Sequence, residues 1–208
     1  MTPELFPEIK HYIDKLMDEA DQIPEPRKQL LRRLSNYLKD ESTGTKKLNF
    51  ICTHNSRRSH LAQVWATVAA TYYGLSDIET YSGGTEATAF NPKAVAALRR
   101  VGFQLSHSGT SNPHYFIKYA EDLSALECWS KTFDDPVNPD QDFAAIMTCS
   151  DADENCPYIP GVKLRLPLTY DDPKIADNTP EETDRYDERT RQIGREIFFA
   201  FKDSIGQT

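Results

Sequence analysis

The chain has 208 residues, 32 of them acidic and 24 basic, for a formal net charge of −8. That length bounds one domain with a sizeable core plus an appendage, and the net acidity argues against nucleic acid as a partner. With 38% hydrophobic and 27% charged residues the chain reads as globular, and no apolar run approaches the roughly 20 residues a membrane span needs. The start Met1-Thr2-Pro3-Glu4-Leu5 lacks the basic and apolar regions of a signal peptide, so a cytoplasmic location is expected. Four cysteines in such a chain point to thiol chemistry or metal more than to a disulfide framework.

In chain order, residues 1–46 predict an N-terminal helical extension. Leu5, Ile9, Ile13, Leu16 and Ala20 recur at helical spacing, Pro24 and Pro26 interrupt, and Leu30, Leu31, Leu34, Tyr37 and Leu38 form a second stripe. This hairpin carries no catalytic signature. It either packs on the main domain or serves as a homodimer or docking surface. From residue 47 to 208 the pattern changes to one domain of alternating strands and helices. Leu48–Cys52 reads as a strand, followed by a helix with Leu61, Val64, Trp65 and Val68 on one face. Ile78–Ser82 is a second strand, ended by Gly83-Gly84. Asn91-Pro92 reads as an N-cap and first helical turn. An insertion at about 113–138 breaks the alternation and suggests a β-hairpin of 114–119 and 126–130. Phe143–Thr148 and Val162–Leu166 are the third and fourth strands, and a final helix runs from about Pro180 to Lys202. Such alternation implies an α/β fold with a parallel sheet covered on both faces, whose ligands bind at the carboxyl ends of strands.

Cys52 stands at one such end and opens Cys-Thr-His-Asn-Ser-Arg-Arg-Ser. Thr53, His54, Asn55, Ser56, Arg57 and Ser59 fill a short loop that runs into a helix. Backbone N–H groups and the helix dipole in such a loop suit a tetrahedral oxyanion. Arg58, six positions after Cys52, adds a guanidinium that matches two oxygens. The same positive field favours a thiolate nucleophile. Ser59 can hydrogen-bond the sulfur, and Asn55 can hold the loop.

This segment resembles the phosphate-binding loop of the low-molecular-weight protein tyrosine phosphatases and of the thioredoxin-coupled arsenate reductases built on their fold. Tyr81-Ser82-Gly83-Gly84, Asn91-Pro92-Lys93-Ala94 and Asp171-Asp172-Pro173 extend the likeness over roughly residues 47–205. Cys149-Ser-Asp-Ala-Asp-Glu-Asn-Cys156-Pro157 is similar to the redox segment of the reductases specifically. The resemblance implies a three-layer sandwich around a four-stranded parallel sheet. It implies Cys52 as nucleophile, Arg58 as oxyanion ligand and Asp172 as proton donor. It also implies a relay in which Cys149 attacks Cys52, Cys156 attacks Cys149, and thioredoxin or a similar thiol donor resets the enzyme. The substrate is then arsenate, with a phosphomonoester as the phosphatase alternative.

Two departures stand in the loop. His54 replaces a usual Gly and Arg57 a second Cys. No cofactor is implied. The resemblance places a potassium site at Asn55 and Ser82, near Gln63, where some reductases have Glu. Taken alone, Cys149 and Cys156 read as a redox pair, with two inert cysteines as the bland alternative; their spacing without His is poor for zinc. Cys128, His11, His60, His107 and His114 read as structural or solvated. Asp134-Asp135-Pro136 reads as a turn.

Overall fold

The computed structural model describes residues 3–42, 44–155 and 158–206. Two helices open the chain, α1 (Pro7–Asp18) and α2 (Glu25–Lys39), each started by a proline in its first turn. Then follow β1 (Lys46–Cys52), α3 (Arg58–Tyr73), β2 (Ile78–Gly84) and α4 (Pro92–Val101). Three short strands come next: β3 (Gln104–Ser108), β4 (His114–Lys118) and β5 (Leu126–Cys128). The chain finishes with β6 (Phe143–Met147), the short helix α5 (Ser150–Asn155), β7 (Val162–Leu166) and α6 (Glu182–Ser204).

The main sheet is wholly parallel with strand order β2-β1-β6-β7. The chain therefore steps one way from β1 to β2 and the other way to β6 and β7. The β1/β6 boundary is the switch point where α/β sheets open a crevice; Cys52 ends β1, and Cys149 follows the end of β6 by two residues. The side chains explain the layers. Along β6, Ala144 and Ile146 join the large core with Leu48 and Phe50, whereas Phe143, Ala145 and Met147 face a smaller cluster with Ile51, Cys52, Cys149 and Ala152. Both faces of a strand are thus covered, as a run of five buried residues requires. No helix among the described residues is long and apolar enough to cross a membrane.

Two sequence expectations are modified, and one that was left open is narrowed. The insertion forms a three-stranded antiparallel sheet, β3-β4-β5, rather than a hairpin. β3 was illegible because Gln-Leu-Ser-His-Ser is polar and mostly exposed, with no apolar alternation to mark it. Second, Gly83 and Gly84 do not end β2 but are its last two residues, and they are small because other chain segments cross them. A Cβ on Gly83 would meet Phe133 Cα at 2.3 Å, and one on Gly84 would meet Glu86 O at 2.3 Å and Asn55 N at 2.6 Å. Third, the N-terminal hairpin's apolar stripe lies in the chain's own core. Ile9, Ile13, Leu16, Leu31 and Leu34 share one cluster with Trp65 and Phe198.

Candidate active site

β1 delivers Cys52 to the loop, where the residue is nearly buried (4% exposed) and its sulfur lies 3.0 Å from Ser59 Oγ. Asn55 Nδ2 donates to the Ser59 hydroxyl oxygen at 2.9 Å, which leaves the Ser59 proton free for a Cys52 thiolate. Asn55 Oδ1 in turn accepts from the Lys131 backbone N–H at 3.0 Å. A line of three hydrogen bonds thus runs from the end of the insertion to the nucleophile. Asn55 adopts φ +42°, a left-handed conformation that asparagine tolerates better than most residues. The loop is also pinned from outside: Ser56 Oγ donates to Ala89 O at 2.7 Å, and His54 O accepts from Ser130 Oγ at 2.9 Å. His54 therefore contacts the insertion through its backbone, while its ring is half-exposed, 3.7 Å from Glu86. No side chain caps α3 at Arg57, so the first-turn N–H groups have no side-chain competitor for an anion.

Arg58 and Asp172, 114 residues apart, meet at 2.8 Å. Arg58 also donates to Tyr170 O at 2.7 Å. Arg57 Nε donates to the other carboxylate oxygen at 2.9 Å, and the Lys174 N–H joins it at 3.0 Å. Burial favours the neutral acid, but Arg58, the Lys174 N–H and Arg57 outweigh it and hold Asp172 below the usual carboxylate range. Asp134-Asp135-Pro136 forms a turn instead, with the Val137 N–H on Asp135 Oδ1 at 3.1 Å.

Cys149 sits at the mouth of the same loop, buried, with Sγ 3.4 Å from Thr53 Oγ1 and 3.4 Å from the Ala152 N–H. Thr53 Oγ1 also donates to Asp151 at 3.3 Å. Arg165 of β7 anchors α5 by donating to Asp153 O at 2.6 Å. Cys156 lies outside the described residues. Arg58, Cys149, Asp151, Tyr170, Asp172 and Arg189 line one cleft of about 590 Å³. Arg189, carried by α6, gave no sequence signal; nor did Ser130 and Lys131, which reach the loop from the insertion.

The residues do not fit the expected potassium site. Asn55 Oδ1 is spent on Lys131 N, Ser82 Oγ pairs with His60 Nδ1 at 3.2 Å, and Gln63 Oε1 accepts from Cys128 at 3.7 Å. The Lys131 ammonium, in a residue only 5% exposed, adds its own charge on this side and helps push buried His60 well below the usual imidazole range, after burial itself. Burial also pushes the Cys128 thiol up to about 12, which keeps it protonated. Among the described residues no group of three His, Cys, Asp or Glu could hold a metal ion.

This cysteine–arginine loop at the switch point of a four-stranded parallel sheet finds direct counterparts. Residues 47–123 match the family pattern of the low molecular weight phosphotyrosine protein phosphatases. An arsenate reductase 2 of Staphylococcus epidermidis is 31% identical over 128 residues, 62% of this chain and 79% of that protein. An arsenate reductase of Bacillus licheniformis is 32% identical over 153 residues, 73% of this chain and 92% of that protein. The chain belongs to the low molecular weight phosphotyrosine protein phosphatase family and is an enzyme of that family. The curated relatives carry the name arsenate reductase, whereas the solved structures that resemble it in fold include phosphatases. A YwlE mutant from Bacillus subtilis superposes with a TM-score of 0.53 at 16% identity, covering 76% of this chain and 97% of that one. A low molecular weight phosphotyrosine phosphatase from Vibrio cholerae O395 gives 0.50 at 16%, covering 77% and 97%.

Proposed function

We propose that the protein reduces arsenate through a three-cysteine relay. The observation that carries this reading is Cys149, whose sulfur lies beside Thr53 in the nucleophile's own loop; a phosphatase cycle has no step for a second thiol there. The Cys52 thiolate attacks arsenic, an As–O bond breaks, and the departing oxygen leaves as water with a proton from Asp172. Arg58 and the loop N–H groups carry the oxyanion charge. The Cys149 thiolate then attacks Cys52 Sγ. The S–As bond breaks with its electron pair going to arsenic, which leaves as arsenite. Cys156 attacks Cys149, frees the Cys52 thiolate and leaves a 149–156 disulfide for thioredoxin or a similar dithiol donor to reduce.

The family and fold support a second reading, hydrolysis of a phosphomonoester through a phosphocysteine at Cys52. Its weak point is the substrate grip. The acid loop carries Ile175, 87% exposed, where an aromatic would clasp an aryl ester, and Tyr170 and Tyr115 are both buried. A coupled assay with arsenate, thioredoxin, thioredoxin reductase and NADPH separates the two. NADPH loss is expected in wild type and is expected to vanish in C52S, C149S and C156S, while p-nitrophenyl phosphate hydrolysis survives in C149S. No arsenate-dependent NADPH loss, beside hydrolysis that ignores both relay substitutions, assigns the phosphatase instead.

A further inference from the structure

The acid carboxylate is gripped by two guanidinium groups, one on each oxygen. Oδ2 accepts from Arg58, the group an oxyanion needs, and Oδ1 accepts from Arg57 and the Lys174 N–H. Both arginine side chains are nearly covered, 11% exposed at Arg57 and 12% at Arg58, so solvent screens these pairs less than surface ones. Among the described residues Arg57 has no other side-chain hydrogen bond. Arg58 is the group that an arriving oxyanion and Asp172 would both need.

We propose that Arg57 is a positioning residue: it holds the Asp172 loop closed over the catalytic loop while the oxyanion takes Arg58 from Asp172. The inference rests on Asp172 being the proton donor. Losing Arg58, and gaining an anion beside it, both favour the protonated carboxyl. The proton comes from solvent in the cleft to Oδ2, the oxygen that Arg58 vacates, and passes from there to the departing oxygen. Oδ1 keeps its bonds to Arg57 and Lys174 throughout. After product leaves, Arg58 returns to Oδ2.

The other charges around Asp172 are already engaged or turned outward. Asp171 is 96% exposed and lies 3.6 Å from Arg189 of α6, which also donates to Gln192. Arg185 pairs with Glu188 at 2.7 Å, and Tyr186 donates to Asp177 at 2.9 Å. On the α5 side Asp151 accepts from Thr53. None of these is placed to take over the Arg57 grip on Oδ1.

The test is a carbon-13 carboxylate titration of Asp172 in the full-length C52S protein, free and saturated with inorganic phosphate, with Arg57, R57K or R57Q. Phosphate is expected to raise the Asp172 midpoint by about one pH unit or more. R57Q is expected to raise the free-protein midpoint, and R57K to restore most of it. In the Cys52 enzyme, R57Q is expected to lower kcat for p-nitrophenyl phosphate about tenfold with KM changed less than about threefold, and R57K to recover it. Phosphate that binds while the Asp172 midpoint ignores both phosphate and R57Q overturns the role of Arg57 alone. Phosphate that fails to bind overturns the oxyanion-site reading with it.

Discussion

Asn55 joins the insertion to the nucleophile with one amide. Its oxygen takes the Lys131 N–H and its nitrogen orients Ser59, and the residue is fully buried. Asn55→Ala removes both bonds, leaves the buried Lys131 N–H without its partner and Ser59 with only the Cys52 sulfur, and keeps a Cβ residue in a left-handed conformation. The expected loss is about 1–3 kcal/mol, the cost of one unsatisfied buried group. Urea denaturation reads it as a lower midpoint at unchanged slope. Because Ser59 then loses its direction toward the Cys52 sulfur, kcat is expected to fall about tenfold or more even in the folded fraction. A variant with the wild-type urea midpoint and the wild-type kcat would show that the three-bond line is ornamental.

Among the elements, α6 matters most, since α1, α2, α3 and α4 all pack on it. Gly194 lets α3 and α1 approach: a Cβ there would meet Leu16 Cδ1 at 2.8 Å and Trp65 Cε2 at 2.9 Å. The Leu16 methyl can yield. Trp65 cannot, being fully buried, stacked on Tyr12 at 5.7 Å and edged by Phe103 and Phe198. Alanine would gain about 1 kcal/mol of helix propensity, but overpacking costs about 1–3 kcal/mol. Gly194→Ala is therefore expected to melt a few degrees lower by calorimetry, and a higher melting point would show room at this crossing. Sequence made α6 and the main strands legible because their apolar residues keep a helical or continuous period through fully packed positions. It hid β3, whose exposed polar residues keep no period, and it hid what α6 packs against. At the site, strand, loop and helix are contiguous, so Cys52 to Ser59 could be read directly. The Lys131–Asn55 and Arg57–Asp172 contacts span 76 and 115 residues, and no local pattern announces contacts of that range.

The whole molecule depends on its N-terminal hairpin in a way that its lack of motif concealed. Leu31 and Leu34 of α2 are fully buried in the core that holds Ile193, Ile197, Phe198 and Phe201 of α6. Ser35 Oγ donates to Ala200 O at 2.9 Å. Arg27 pairs with Glu196 at 2.8 Å, where the glutamate side chain is only 3% exposed. The same guanidinium donates to Thr169 O at 3.0 Å and lies 4.8 Å over the Tyr170 ring, whose residue supplies the carbonyl that Arg58 holds. The hairpin thus touches the segment that carries the acid. A chain of residues 47–208 would expose that α6 face and leave Glu196 without its cation. Breaking a buried pair costs about 3–5 kcal/mol, and each large apolar side chain uncovered adds about 1.5–3 kcal/mol. Against a total stability of about 5–15 kcal/mol the truncated chain is not expected to hold a unique fold. It should bind a hydrophobic dye and melt without a cooperative transition, while the full chain melts cooperatively. If 47–208 instead melts within a few degrees of the full chain and keeps its kcat, the hairpin is an accessory and its buried contacts carry little of the stability.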